Sequence, residues 1–263
     1  HIQVTRPLHH GIIADFEVTE KMLRYFFDKV HDDRSFVVPR PRVIISVPLD
    51  VTEVERKAVG DAAMSAGAHH VLVVEEPIAA AIGAGMDISS PLGNMIVNIG
   101  GGTTEVAVIS LNGVVTAKSI AIAGEELNKN IAQYARDVFS LLLGEGIAEG
   151  IKILAGSAVE LSEPIETSMR GRDILSGLPR EILVNDAQIR EALARSVKAI
   201  VEQVKAILEV TPPELVADIY QKGIVLTGGG ALLRGLDVAI SRGTGLPVRV
   251  AEDPLTAVVR GTG

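Results

Sequence analysis

The stretch Met95-Ile96-Val97-Asn98-Ile99-Gly100-Gly101-Gly102-Thr103-Thr104-Glu105-Val106-Ala107-Val108-Ile109-Ser110 decides how this chain is read. Two apolar runs, each too short for a stable helix, flank three glycines, so the segment reads as strand, turn, strand. Asn112-Gly113 is a two-residue hairpin signal, and Val114 to Ile122 returns as a third strand. Three glycines in a row leave the backbone bare of Cβ atoms. Their N–H groups can converge on a phosphate oxygen, with the Thr103 and Thr104 hydroxyls beside them. The motif recurs where the apolar strand Gly223 to Thr227 runs into Gly228-Gly229-Gly230. Ala231 to Arg242 reads as a helix. That places the second turn at a helix N-terminus, where free N–H groups and the dipole favour anions. One triple glycine is more often a plain tight turn; two, each after an apolar strand, favour a ligand. Neither is a P-loop, because no Gly-Lys-Ser/Thr follows, and neither is Gly-x-Gly-x-x-Gly opening a helix.

Outward from this stretch, strands and helices alternate. Val18, Met22, Phe26 and Val30 recur every fourth residue and predict one buried helix face. Arg42 to Val47, closed by Pro48, is a buried strand. Thr52 and Glu55 have capping-box spacing for a helix that ends at Gly67. Val71 to Val74 is another strand, and Pro77 opens an alanine-rich helix through Ala84. Helices are expected at 124–142 and 146–156, with short strands between 160 and 187. The clearest helix is 188–209, with Ile189, Leu193, Val197, Ile200, Val204 and Ile207 on one face, and Pro212-Pro213 stops it. Mixed sheets flanked by helices make this an α/β protein.

The chain has 263 residues, 47% of them hydrophobic, which suits one large domain or two smaller ones. A formal net charge of −8 and 3% aromatic residues without Trp argue against nucleic acid, which calls for basic surfaces and stacking platforms. Without cysteine there is no disulfide and no thiolate metal site. No run reaches the roughly 18 apolar residues of a membrane span. The chain opens at His1 rather than Met and reads as a piece of a longer protein. His9-His10 and His69-His70 lack the spacing of a helical metal site and read as surface residues. Glu75-Glu76 fits two solvated charges at a helix start, and Glu149 with Lys152 fits an ordinary i, i+3 surface pair.

Strand–turn–strand glycine loops point to the actin and sugar-kinase superfamily. Within it, Val74-Glu75-Glu76-Pro77-Ile78-Ala79-Ala80-Ala81-Ile82-Gly83, the run Ile99 to Ser110, and Val225-Leu226-Thr227-Gly228-Gly229-Gly230-Ala231-Leu232-Leu233-Arg234 resemble the MreB family of bacterial actins. Pro212-Pro213-Glu214-Leu215 and Ala251-Glu252-Asp253-Pro254-Leu255-Thr256-Ala257-Val258 fit as well, so the likeness spans the chain in order. It implies an actin-like α/β fold of two halves around a nucleotide cleft. Residues 1–92 and 247–263 would form the first half, 93–123 and 188–246 the second, and 124–187 an inserted subdomain. It implies ATP or ADP with Mg²⁺, and assembly of the chain with itself into filaments. It also implies a cytoplasmic place at the inner face of the membrane, cell-wall elongation proteins as partners, and maintenance of rod shape.

Position by position, Gly100, Gly101, Gly102, Thr103 and Thr104 resemble the second phosphate loop. Glu76 resembles the carboxylate that orients the attacking water, and Thr104 the residue near the γ-phosphate. Glu149 and Lys152 match the ribose-holding helix, and Gly228, Gly229 and Gly230 the adenosine motif. Phe36-Val37-Val38 between Arg34 and Arg40 resembles a membrane-inserting loop, with apolar residues to insert and cations beside them; the plainer reading is a loop packed on its own domain. Two departures stand out. The family's opening Asp-x-Gly-Thr loop would lie upstream of His1, and Asn98 stands where the family has an Asp that helps hold the water shell of Mg²⁺. A neutral amide weakens that hold, which puts hydrolysis in question. A degenerate actin-like scaffold is therefore the alternative to an ATP-controlled polymer. A sugar or acetate kinase would need a substrate pocket with a base, and a chaperone-type ATPase a separate peptide-binding domain; the sequence shows a motif for neither.

Overall fold

The structure, a computed structural model, describes residues 5–31 and 41–263. It opens with a small hairpin, β1 (Leu8–His9) and β2 (Ile12–Ile13), followed by helix α1 (Phe16–His31). Strand β3 (Arg42–Val47), helix α2 (Glu53–Ser65) and strand β4 (His70–Glu75) form a β–α–β unit in which β3 and β4 pair in parallel. The Thr52–Glu55 capping box is present in both directions. β4 passes directly into α3 (Glu76–Gly83), with Pro77 in its first turn, as the sequence indicates.

The centre is a five-stranded sheet in the order β12-β11-β5-β6-β7. Strands β5 (Asn94–Ile99), β6 (Thr104–Ser110) and β7 (Gly113–Ile120) form the expected antiparallel meander. Next come α4 (Gly124–Phe139), β8 (Leu141–Leu142), α5 (Glu145–Ala155), β9 (Glu166–Asp173) and β10 (Pro179–Asn185), the last two pairing beside β8. Helix α6 (Asp186–Val210) is capped by Asn185 and Gln188, and α7 (Pro213–Lys222) restarts after the proline pair. β11 (Ile224–Thr227) lies parallel to both β5 and β12 (Val248–Val250), with α8 (Leu236–Thr244) between β11 and β12 in sequence and α9 (Ala257–Gly261) at the end.

Alternation sorts the central strands onto two buried faces. Met95, Val97, Ile99, Val106 and Val108 join the large core under α4, α6 and α8, while Ile96, Ala107 and Ile109 join a smaller core with Ala80 and Ala81 of α3. Both faces of β5 and β6 are therefore covered, which is why the run reads as continuously apolar. Under α3, helix α9 crosses very close: a Cβ on Gly83 would strike the Ala257 carbonyl, and one on Gly261 the Ala79 carbonyl.

Three expectations need correction. Of the α1 face, Val18 and Met22 are half-buried, but Phe26 and Val30 are 51% and 76% exposed; the helical period marks an apolar stripe and says nothing of what covers it. The strand pair β3–β4 is likewise only partly buried, with Ile44 and Leu72 exposed. The hairpin turn is one residue earlier than Asn112-Gly113: Leu111 and Asn112 hold φ of 50° and 61°, Ser110 pairs with Gly113, and a register shift at Val108/Ile109 absorbs the difference. Phe36, Val37 and Val38 lie outside the described residues.

Candidate functional site

The two glycine turns end neighbouring strands, because β5 and β11 pair in register from Ile224 beside Met95 to Thr227 beside Asn98. Gly228 holds φ +81°, and a Cβ there would run into the Ile99 carbonyl, so the second turn closes directly onto the first. The first turn is tied back by Gly100 N–H to Thr103 O at 2.9 Å. Its carbonyls receive the first amides of α4, Gly124 N–H to Gly100 O at 3.1 Å and Glu125 N–H to Gly101 O at 2.8 Å. The second turn differs from expectation. Gly229–Leu232 is a single 3₁₀ turn, and α8 begins only at Leu236, after Gly235. The turn therefore does not sit at the N-terminus of a long helix.

Between the turns and α5 opens a cavity of about 630 Å³, lined by Gly100, Gly101, Gly124, Glu149, Lys152, Gly229 and Gly230 among others. That lies within the roughly 300–1,000 Å³ of small-molecule sites. Ile153, Leu232, Leu233 and Leu255 give it apolar wall. Lys152 is no solvated surface charge: its Nζ donates to Gly124 O at 3.0 Å, and burial lowers its pKa against the pull of Glu149 and Glu125. Gly124 leaves room for this, since a Cβ there would stand 3.4 Å from Nζ and 3.3 Å from Gly100 O. Arg6 and Glu145 also line the cavity and pair at 2.7 Å.

On the α3 side of the sheet sits a carboxylate pair. Asn98 is buried; its Nδ2 donates to Glu76 Oε2 at 3.2 Å and its Oδ1 accepts from the Thr227 hydroxyl at 3.3 Å. Opposite Asn98 in the β5–β6 register is Glu105, fully buried. Glu105 Oε1 accepts the Leu49 N–H at 2.7 Å, and its Oε2 has no hydrogen-bond partner among the described residues. Burial, and then the nearby Glu76 carboxylate, push Glu105 up to about 8. Burial raises Glu76 too, against the hydrogen bonds it receives. At neutral pH the pair thus holds a proton.

Thr104 is on the other face of β6. It is fully buried, and its hydroxyl donates to Ile122 O at 2.6 Å, so the structure does not bring it to the cavity. Glu105 was not a sequence candidate, although the hairpin register with Asn98 contains it: period two sends Glu105 to the Asn98 face and Thr104 away. His10 also departs from its surface reading. Its Nδ1 lies 3.0 Å from Gly102 O, and Gly102 leaves it space, since a Cβ there would stand 2.8 Å from His10 Cα. Among the described residues, no group of three or more His, Asp or Glu could hold a metal ion.

The description "MreB/Mbl protein" belongs to the family model that matches residues 1–263. The chain belongs to the MreB/Mbl family. It is 51% identical over 263 residues to the cell shape-determining protein MreB of Escherichia coli K12, covering all of this chain and 76% of that protein. It is 49% identical to the cell shape-determining protein Mbl of Bacillus subtilis 168, covering 100% and 78%. Crystal structures of MreB5 of Spiroplasma citri, bound to ADP and to AMPPNP, superimpose with TM-score 0.94 at 37% identity over 99% of this chain and 78% of theirs. The fold is therefore actin-like. In this MreB/Mbl chain the cavity lies between the two glycine turns, and Glu76, Asn98 and Glu105 stand together behind the first of them.

Proposed function

We propose that the chain is a nucleotide-controlled actin-like cytoskeletal subunit that binds ATP or ADP in the cavity between its glycine turns. The single observation carrying this is the cavity itself: about 630 Å³, walled by backbone at Gly100, Gly101, Gly229 and Gly230, with Lys152 half-buried on its side. Bare backbone at one end suits phosphates, apolar residues suit a base, and Glu149 and Lys152 can hold a ribose. The relatives named as cell shape-determining proteins, and the MreB5 structures bound to ADP and AMPPNP, support the same reading. On it, the chain assembles with itself into filaments at the inner face of the cytoplasmic membrane. It works with cell-wall elongation proteins to keep cells rod-shaped.

A Mg²⁺ ion carried with the phosphates would spread their negative charge. Such an ion is held mainly by phosphates and water. The chain's own part in hydrolysis falls to Glu76. Its Oε2 is fixed by the Asn98 amide, and its charge is shared with buried Glu105. A carboxylate that holds a water in line must be ionised to do so. The Asn98 clamp keeps Glu76 oriented but supplies no charge of its own, an arrangement suited to slow turnover. It also favours the second reading, a scaffold that binds nucleotide without hydrolysing it.

Sedimentation of the protein with ATP, ADP or no nucleotide tests the first reading; pelleting indifferent to nucleotide would refute it. Phosphate release from the Asn98→Asp variant separates the two. An added carboxylate beside Glu76 and the phosphates is expected to raise Mg²⁺-dependent release severalfold, and unchanged release would sink the role given to Asn98.

A further inference from the structure

One polar group on the cavity wall has no part in cradling phosphate or in fixing Glu76. Asn128 lies one helical turn beyond Gly124 on α4, lines the cavity, and is only 6% exposed. Its Oδ1 is buried and has no hydrogen-bond partner among the described residues. Leaving such a group unpaired forfeits its hydration with nothing in return, and native proteins keep only a few. Nothing in the packing asks for an amide here. The other buried residues of α4 are Gly124, Leu127, Ile131 and Ala135, and an apolar side chain of the same shape would complete that face. The neighbouring turn of the helix is where Lys152 reaches the Gly124 carbonyl, and Leu127 beside it is also on the wall. The glycine turns take the phosphate end of the cavity, so this part of the wall is left for the nucleoside.

We propose that Asn128 is a nucleoside-recognition residue, its side-chain amide hydrogen-bonding a polar edge of the bound nucleoside, on the base or on the ribose. The proposal rests on the reading of the cavity as a nucleotide site. An amide offers an acceptor and two donors and can turn end for end about Cβ–Cγ. Either end can thus be presented to the ligand, and the unpaired oxygen is relieved when it is. The bond exists only with ligand bound. Its removal therefore weakens binding and leaves the empty protein as stable as before, or more so, because the orphaned oxygen is gone. A residue kept for structure would behave the opposite way.

The test uses Asn128→Leu, close in shape and apolar. Dissociation constants are measured for ATP, GTP and 2′-deoxy-ATP, together with the ligand-free melting temperature. ATP affinity is expected to fall about tenfold, equivalent to roughly 1.4 kcal/mol, while the ligand-free melting temperature holds or rises. Loss of discrimination between ATP and GTP would place the bond on the base; loss of discrimination between ATP and 2′-deoxy-ATP would place it on the ribose. Unchanged ATP affinity overturns the proposal, as does a lower ligand-free melting temperature with affinity intact. Asn128→Ala, read by the same affinity ratio, serves if the leucine variant does not fold. An unsubstituted protein that binds none of the three nucleotides would instead overturn the reading of the cavity itself.

Discussion

Glu105→Gln should remove the share of the pH dependence of stability that the buried Glu105 carboxyl contributes between about pH 4.5 and pH 8. In the folded chain Glu105 is fully buried, and burial, with Glu76 and Asp50 nearby, raises its pKa from 4.5 to about 8. Between these two values the folded state keeps the proton and the unfolded state releases it. The unfolded state then binds fewer protons, so stability falls as pH rises. The loss begins near pH 4.5, ends near pH 8, and at 1.36 kcal/mol per pH unit amounts to about 5 kcal/mol. Glutamine has no proton to lose. Its carbonyl can accept the Leu49 N–H as Oε1 does now, and its amide can stand where the unpaired Oε2 faces Glu76. Urea unfolding at pH 5, 6.5 and 8.5, with the denaturant slope held common, measures the difference. The two proteins should agree within about 1 kcal/mol at pH 5, and the variant should be more stable by several kcal/mol at pH 8.5. Parallel stability curves across that range would refute the sharing of a proton, because the buried carboxyl would then carry no excess proton.

Two further substitutions probe the cavity. Lys152→Met keeps the length of a half-buried side chain and removes its charge; nucleotide affinity should drop at least tenfold while the ligand-free melting temperature changes little, read by nucleotide-induced thermal shift. Gly228→Ala adds both a positive-φ penalty and a clash with the Ile99 carbonyl; it should cost about 1–3 kcal/mol or more by chemical denaturation, and a variant as stable as the parent would contradict the close approach of the two turns.

The central architecture was legible because β5 and β6 are buried on both faces and their apolar runs have few alternatives. The glycine turns were legible because glycine alone is free of the Cβ that bars such backbone, and the Pro77 helix and the proline break before α7 because proline's backbone range is narrow. What failed was whatever depended on long-range partners. The exposure of Phe26 and Val30 is set by what packs on α1, not by its period. The apolar run from Ala231 suggests one helix, yet Gly235 in the left-handed region splits it into a 3₁₀ turn and α8. The hairpin slipped because a register shift at Val108/Ile109, which no turn residue marks, moved the tight pair to Leu111-Asn112. Glu105 was recoverable: pairing Ile99 with Thr104 across the turn fixes which of the next residues shares a face with Asn98. His10 was not, since its docking on Gly102 joins residues 92 apart in sequence.

The crossing of α3 and α9 has a mechanical consequence. α3 is an eight-residue rod with Glu76 at one end and Gly83 at the other, about 12 Å long at 1.5 Å per residue. It meets α9 backbone to backbone at two places: Gly83 rests on the Ala257 carbonyl, and, halfway along α3, the Ala79 carbonyl meets Gly261. Side chains can change rotamer to absorb a push, but backbone in contact cannot. A shift of α9 would therefore press on the backbone of α3 itself, and α3 is the helix that carries Glu76, whose carboxylate Asn98 holds. The helix that aims that carboxylate is thus seated on backbone rather than on side chains that could yield.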